Sequence, residues 1–525
     1  MNKELDIINN HLAKNEYVKA EKISLDLTKQ FPHSHLPYFY HGICCLSLNK
    51  NDEALASFKK GLSINPNDFG LNNNISNTLI RLEEYELAIL HIKKSIEIQP
   101  QHPFAYMHMG EIEMKLRDFK SAVQSFDKSM ELFYLNKIGT DDIPIHTAYA
   151  ESLIANSQME KLVNFYNKTQ NSNFNSTLFY LMAGVNKNVS VYNNPVQIEE
   201  YLKRNNFSNL YQKTFFLSGV YFGLARYFEK ENQKKSENYY HEGNKLIQSF
   251  QRFNLFQFQK NLIKVKQVYN KIKNNVRAEN KYGDGIIFIV GMPRSGTTLL
   301  ESIVASDNNV FSGGELTSLE VLFKNFISNF DEESSIKTLD QIAHTYTNRI
   351  NFLKKDKMYF IDKLPENYIY MGLIKMALPR AKFIHINRDP WDNAISLYKQ
   401  RYISNVHFSS SFFGIAIQLA NHKHMIDFWK QNIPEASLND FLFLNYEDLV
   451  SSPSTGAKLI DAFFGINVKI TPEGRSNFFS NTASMTQVRS AIHQKSLKKN
   501  DFIEFKHQFD IDFEQQLSFW NTHNQ

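Results

Sequence analysis

The stretch that decides the fold lies at residues 288–300 and reads F-I-V-G-M-P-R-S-G-T-T-L-L. It predicts an apolar strand, a turn bounded by Gly291 and Gly296, and a helix that begins at Thr297. Backbone N–H groups in such a turn point at a ligand, and the helix dipole adds positive charge there. The turn therefore predicts an anion site, in which Arg294 can clamp a phosphate-like group.

The loop differs from that of nucleotide hydrolases, G-x-x-x-x-G-K-[ST], in which a lysine reaches the β- and γ-phosphates. Here Thr297 and Thr298 follow the second glycine. The loop thus predicts binding of one phosphate-like group and argues against a kinase or an NTPase.

Length and composition predict a soluble protein of two or three domains. The chain has 525 residues, of which 42% are hydrophobic and 22% charged, and no apolar run approaches the roughly 18 residues of a membrane span. The start, M-N-K-E-L-D-I-I-N-N, lacks the apolar stretch of a secretory signal, so a cytoplasmic location is expected. The only cysteines, Cys44 and Cys45, are adjacent, which excludes a disulfide framework. A net charge of +5 is too small to indicate nucleic acid.

The first part of the chain repeats with a period of 34 residues. Anchors in step with this period are Ala20, Ala54, Ala88 and Ala122, then Pro32, Pro66 and Pro100, the small residues Gly42, Ser76 and Gly110, and the large residues Phe58, Ile92 and Phe126. The pattern resembles the tetratricopeptide repeat, a pair of antiparallel helices. We predict four units over residues 1–140, the first degenerate. Their groove would bind a peptide or partner protein, or the array is only a support or dimerisation arm.

Residues 141–280 lose the period but keep helical patterning, which predicts further helices as a connector. From residue 281 to 525, short apolar strands alternate with amphipathic helices. Predicted strands are Ile286 to Val290, Met358 to Ile361, Lys382 to Ile386 and Phe441 to Asn445. The fold class expected is therefore a helical solenoid followed by a P-loop-like parallel α/β domain, with ligands beyond the carboxyl ends of the strands.

A second motif, H-I-N-R-D-P-W-D-N-A-I-S, spans residues 385–396. Arg388 leaves a strand end, Asp389 and Pro390 are suited to begin a helix, and Ser396 lies along it. The arginine and the hydroxyl could grip a second phosphate.

Together these motifs resemble the 3′-phosphoadenosine 5′-phosphosulfate-dependent sulfotransferases. The closest likeness is to the bacterial branch with tetratricopeptide repeats, which is related to protein-tyrosine sulfotransferases. The resemblance covers roughly residues 286–499. Further family-like segments are S-G-G-E-L at 312–316, D-K-L-P-E-N at 362–367, N-Y-E-D-L at 445–449 and T-A-S-M-T-Q-V-R at 482–489.

The resemblance implies a role for each matching residue. The 5′-phosphosulfate loop would be Arg294, Ser295, Gly296, Thr297 and Thr298, and the 3′-phosphate site Arg388 and Ser396. Glu315 would be the general base and Lys363 would stabilise the leaving phosphate. The remaining contacts would be Ser484 near the sulfuryl group, Tyr446 near the nucleotide and Lys499 at a phosphate or sulfate oxygen. Relatives often have an arginine where this chain has Gln400 and a tryptophan where it has Asn500.

The expected activity is sulfuryl transfer from 3′-phosphoadenosine 5′-phosphosulfate, as co-substrate, to a hydroxyl acceptor. No metal is expected, and His422 and His424 are two residues apart, so on a helix they face different sides. The acceptor would be a protein tyrosine held by the repeat groove, with a small molecule or glycan as alternatives. A third possibility is an inactive, nucleotide-binding scaffold built around the repeats.

Overall fold

The computed structural model describes residues 1–136, 145–172, 176–185, 210–250, 253–274, 282–402, 406–472 and 501–522, together with 475, 478 and 492. The chain divides into two compact units, Met1–Gln158 and Met159–Gln525. The division into three segments at residues 140 and 280 stays a prediction.

The first unit consists of helices joined by tight turns. Within residues 1–136 they form four antiparallel pairs: α1 (Asn2–Ala13) with α2 (Tyr17–Gln30), α3 (His35–Ser47) with α4 (Asn51–Ile64), α5 (Phe69–Arg81) with α6 (Tyr85–Ile98), and α7 (Pro103–Lys115) with α8 (Phe119–Leu135). Helix α9 (Ile145–Ala155) follows. The four pairs confirm the helical repeat that the 34-residue period predicts.

The small and large anchors of the repeat pack against each other. A Cβ atom at Gly42 would lie 2.3 Å from the ring of Phe58, and one at Gly110 would lie 2.8 Å from the ring of Phe126. Glycine therefore lets the aromatic ring of the second helix sit directly on the backbone of the first. In the third pair a hydroxyl takes this place, where Ser76 Oγ donates to the carbonyl of Ala88 at 3.0 Å.

The second unit begins with helices. Their bounds are α10 (Met159–Ser172), α11 (Ser176–Val185), α12 (Leu210–Phe228), α13 (Gln233–Phe250) and α14 (Leu255–Ile272). No helix in the described part of the chain is both long and apolar enough to cross a bilayer.

A five-stranded parallel sheet follows. Its strands are β1 (Ile286–Gly291), β2 (Val310–Ser312), β3 (Tyr359–Asp362), β4 (Lys382–Asn387) and β5 (Phe441–Asn445), in the order β2-β3-β1-β4-β5. Register is fixed by pairs such as Phe288 with Asp362 and Val290 with His385. The predicted parallel α/β domain is confirmed, and the sequence prediction lacked β2.

Helices connect and cover the strands. They are α15 (Thr297–Val304), α16 (Ser318–Ser328), α17 (Ser335–Lys354), α18 (Met371–Ala377), α19 (Pro390–Tyr398), α20 (Phe412–Asn432), α21 (Glu435–Leu438), α22 (Tyr446–Ser451), α23 (Pro453–Phe464) and α24 (Lys506–Thr522). Short 3₁₀ turns lie at Pro365–Tyr370, His407–Ser410 and Ile503–Phe505.

Successive side chains of β1 pack on opposite faces of the sheet. Ile287 and Ile289 belong to an apolar cluster with Leu300 and Ile303 of α15. The side chain of Phe288 stacks on Phe383, with ring centroids 5.0 Å apart. Because successive strand residues point to opposite faces, the sheet is covered on both sides, as parallel sheets require.

Candidate functional site

The order of the strands creates a crevice between β1 and β4. The connection after β1 leads away to the β2 side, whereas the one after β4 leads to β5. Two neighbouring strands whose connections leave in opposite directions open a gap at their carboxyl ends, where ligands bind in α/β sheets. Arg294 follows β1 and Arg388 follows β4, and an Nη of Arg388 donates to the carbonyl of Arg294 at 2.9 Å. Both predicted anion loops therefore meet at this crevice.

The loop after β1 has a constrained backbone. Gly296, at φ +106°, caps the N-terminus of α15 without a capping side chain. A Cβ there would lie 2.4 Å from the ring of Tyr446, so only glycine fits. Arg294 has φ +68°, in the left-handed region that side chains rarely adopt. Such strain concentrates at functional sites.

Ser295 offers a donor to a ligand. It is 1% exposed, and its hydroxyl has no hydrogen-bond partner among the described residues. A buried hydroxyl without a partner costs free energy, so an anion that accepts from it would remove that cost. The N–H groups that open α15 add further donors, since the first turn of a helix cannot satisfy them internally. Thr297 and Thr298 begin that turn and are buried.

Arg388 and Ser396 each form a hydrogen bond with Arg294. The Asp389 side chain accepts from the backbone of Asp392 at 2.9 Å, which caps α19 and confirms the predicted helix start. Arg294 Nε donates to Ser396 Oγ at 3.2 Å. The guanidinium of Arg388 lies 4.6 Å from the centre of the Tyr446 ring, a cation–π contact.

A second group of charges lies at the ends of β2 and β3. Lys363 donates to Glu315 in a short ion pair, and its Nζ lies 3.8 Å from an oxygen of Glu301. Lys363 and Glu301 are fully buried, whereas the Glu315 side chain is 43% exposed. The buried ammonium is thus held between two carboxylates, of which only Glu315 faces solvent.

Backbone pairing beyond the strands sets this geometry. The backbone N–H of Gly313 donates to the carbonyl of Ile361 at 2.8 Å, and the backbone N–H of Lys363 donates to the carbonyl of Gly314 at 2.7 Å. Gly314 has φ +72°, so the chain can turn there and present Glu315 to the crevice. These two bonds extend the pairing of β2 with β3 beyond the last strand residues, which brings Glu315 and Lys363 together.

Tyr402 connects the two groups electrostatically. Burial raises the pKa of its phenol, the charge of Arg294 lowers it, and that of Glu315 raises it again. Nearby, burial and the charge of Glu315 raise the pKa of Glu366 to about 7. Burial also lowers the pKa of Arg294, and the nearby cation of Arg388 lowers it further. The phosphate-like site and the Glu315–Lys363 pair therefore share one electrostatic environment.

The predicted site residues fall into three sets. Those that meet at the crevice are Arg294, Ser295, Gly296, Thr297, Thr298, Arg388, Ser396 and Tyr446, and Glu315 pairs with Lys363 beside them. Ser484 and Lys499 lie outside the described residues, so their roles stay predictions. His422 and His424 have different partners, His385 and Lys266.

Two residues of the site have contacts that the motifs did not predict. Glu301 lies four residues after Thr297 on α15, a helical spacing that puts both on one side of the helix. Gln400 is buried, and its Oε1 accepts from Tyr180 at 3.2 Å and from Arg226 at 3.1 Å. Both partners lie on helices far away in the sequence, which no local pattern predicts.

Comparison with known families agrees with this architecture. Residues 286–469 match the model described as the sulfotransferase family. Residues 38–68 and 70–102 match the tetratricopeptide repeat. The predicted combination of repeats with a sulfotransferase domain is thereby confirmed at the level of these two families.

Individual relatives are more distant. An uncharacterized protein of Aquifex aeolicus (strain VF5) is 29% identical over 235 residues, which cover 41% of this chain and 30% of that protein. The sulfotransferase domain from the Synechococcus PCC 7002 olefin synthase is 20% identical and aligns over 46% of this chain and 96% of its own, with a TM-score of 0.33. A tetratricopeptide repeat protein from Parabacteroides merdae is 15% identical over 48% of this chain and 93% of its own, with a TM-score of 0.34.

Proposed function

With a sulfotransferase-family domain at residues 286–469, we propose that the protein transfers a sulfuryl group from 3′-phosphoadenosine 5′-phosphosulfate to a hydroxyl acceptor. The observation that carries the proposal is the meeting of two anion-binding loops beside a paired base and ammonium, Glu315 and Lys363. Two anion sites suit a nucleotide that is charged at both its 3′ and 5′ ends.

The residues present fit this donor. The Ser295 hydroxyl, which has no hydrogen-bond partner in the described part of the chain, and the opening N–H groups of α15 suit the 5′-phosphosulfate. Arg294 and Arg388 supply charge, and Ser396 already bonds Arg294. The ring of Tyr446 lies between Arg388 and Gly296, a flat surface beside the nucleotide site. When bound, the donor supplies the sulfuryl group and a phosphate leaving group.

Glu315 is the group that takes the acceptor proton. It is partly exposed, so a hydroxyl can reach it, whereas Glu301 is fully buried. As the oxygen of the acceptor bonds to sulfur, its proton moves to the Glu315 carboxylate. A base in this position contributes roughly 100- to 10,000-fold in rate.

Lys363 responds to that proton transfer. Once Glu315 is neutral, its attraction for the Lys363 ammonium falls, while the Glu301 carboxylate stays 3.8 Å from Nζ. The bond between sulfur and the bridging oxygen breaks with its electron pair on that oxygen, so negative charge grows on the 5′-phosphate. Lys363, released from Glu315, is then available to stabilise that charge.

For the acceptor we propose a tyrosine hydroxyl in a protein or peptide that the tetratricopeptide groove binds. Its support is the pairing of such repeats, which commonly bind proteins, with a transferase domain in one chain. A small hydroxyl compound or a glycan is the alternative acceptor.

The first experiment is isothermal titration of the full chain with 3′-phosphoadenosine 5′-phosphate without added metal. We expect micromolar binding by the wild type and binding about ten- to a hundredfold weaker for Arg388→Ala, the loss for one charge-assisted contact. A wild-type protein that does not bind the nucleotide would overturn the proposal.

Activity assays distinguish the role of Glu315 as a base from the roles of the residues that bind the nucleotide. Tyrosine peptides, small phenols and glycans are tested as acceptors with the labelled donor. Glu315→Gln should lower kcat by about 100-fold or more while the nucleotide binds as in the wild type. Equal turnover by wild type and Glu315→Gln would remove Glu315 from the reaction.

A further inference from the structure

Two helices that precede the sulfotransferase-family match contact Gln400 and Arg401, which directly follow the helix of Ser396. Tyr180 lies on α11 and Arg226 on α12, both outside residues 286–469. An Nη of Arg226 donates to Tyr180 Oη at 2.7 Å and to Gln400 Oε1 at 3.1 Å, and the guanidinium lies 3.8 Å from the centre of the Tyr180 ring. Tyr180 Oη also accepts from the backbone N–H of Arg401 at 3.3 Å.

These contacts hold the carboxyl end of α19. Gln400 bonds back to the carbonyl of Leu397, so it continues directly from the helix that carries Ser396. Asn244 of α13 donates to the carbonyl of Tyr398 at 2.9 Å, a further bond from the same helical segment. The position of Ser396, which bonds Arg294, thus depends on the contact between Gln400 and Tyr180, 220 positions apart in the sequence.

Arg226 also brings charge. Its hydrogen bonds among the described residues go to three neutral oxygen atoms, the third being the carbonyl of Tyr180 at 3.1 Å. Its charge is therefore not cancelled by these partners, and together with Arg388 it disfavours the charged form of Arg294. Three guanidinium groups that repel one another are stabilised when a polyanion binds among them.

We propose that Arg226 belongs to the anion site, supplying positive charge for the bound nucleotide and holding Gln400 at the end of the Ser396 helix. The inference rests on the proposed function, because the nucleotide is its ligand. It makes Tyr180 of α11 and Arg226 of α12 part of the nucleotide site.

Titration of the full chain with 3′-phosphoadenosine 5′-phosphate at several KCl concentrations tests this. Arg226→Gln keeps a hydrogen-bonding side chain but removes the charge. We expect affinity about tenfold lower at low salt and a shallower salt dependence, since the lost contribution is electrostatic and screened by ions. Arg226→Lys should restore most of the salt dependence.

Two control variants distinguish charge from structure. Arg380→Gln removes an exposed arginine next to the amino end of β4, on the edge of the sheet away from the site, and should bind like the wild type. Tyr180→Phe removes the hydroxyl bonds to Gln400, Arg401 and Arg226 but keeps the Arg226 charge, so its salt dependence should match that of the wild type.

The outcomes are separable. If the wild type binds the nucleotide and Arg226→Gln binds it equally tightly, the role of Arg226 is overturned and the proposed function stands. If Arg226→Gln binds the nucleotide more weakly, Arg226→Lys does not restore the affinity and the salt dependence is unchanged, then Arg226 has a structural role. That result also overturns the inference. No binding by the wild type overturns both proposals.

Discussion

Lys363→Met should strongly destabilise the second unit. Lys363 and Glu301 are both fully buried, with Nζ and the carboxylate oxygen 3.8 Å apart. Removing the ammonium takes the nearby cation away from a buried carboxylate, which costs about 3 to 5 kcal/mol. With a urea slope of about 3 kcal/mol/M, the unfolding midpoint should fall by roughly 1 M or more. The measurement is urea unfolding followed by far-UV circular dichroism.

A surface pair serves as the matched control. Lys324 contacts Glu320 at 2.5 Å, but the two side chains are 60% and 31% exposed. Lys324→Met should cost only about 0.3 to 0.5 kcal/mol, because water solvates the carboxylate left behind.

The double variant tests the cause. Adding Glu301→Gln to Lys363→Met removes the stranded charge, so part of the lost stability should return, and the coupling measures the pair directly. If Lys363→Met shifts the midpoint no more than Lys324→Met, the buried pair does not have the energetic role inferred from its geometry.

Three further predictions concern backbone space and pH. Gly296→Ala places a Cβ at φ +106° and 2.4 Å from the Tyr446 ring, so nucleotide affinity measured by titration should fall at least about tenfold, and an unchanged affinity would contradict the steric argument. Gly42→Ala, whose Cβ would lie 2.3 Å from Phe58, should destabilise the repeats by about 1 to 3 kcal/mol in a thermal melt, and Phe58→Leu in the same chain should relieve part of the clash. Burial lowers the pKa of His422 to about 3, so the unfolded chain takes up a proton below its ordinary value of 6.5 while the folded protein does not. Stability should therefore fall as the pH drops from about 6.5 toward 3, and His422→Gln should flatten that dependence in urea unfolding; an unchanged slope would contradict the assignment.

Periodicity made the repeats and most of the sheet predictable. A 34-residue period places Gly42 and Phe58 at fixed positions in one unit, and the structure puts the ring of one on the backbone of the other. The four predicted strands lie within one or two residues of those found. Strand β2 has only three residues, too few to display alternation, and the adjacent Gly313 and Gly314 suggest a loop instead.

The site was predictable where loops follow strands. Arg294 and Arg388 each come directly after an apolar strand, so a parallel sheet brings them to one edge. The contact between Arg226 and Gln400 joins residues 174 positions apart, and only the packing of α12 on the domain creates it. The sequence did not indicate that Glu301 belongs to the site, because an acidic residue on a short helix usually faces solvent. In the structure Glu301 is instead buried beside Lys363.

The left-handed backbone conformation at Arg294 lowers the stability of the fold at a residue proposed to bind the ligand. An arginine at φ +68° costs about 1 to 2 kcal/mol relative to a glycine, which adopts that conformation freely. In laboratory evolution for heat resistance alone, replacement by glycine would therefore be favoured at this position, although it removes the cation at the mouth of the crevice. A library screened only for folding would thus lose Arg294, whereas one screened for ligand binding would keep it.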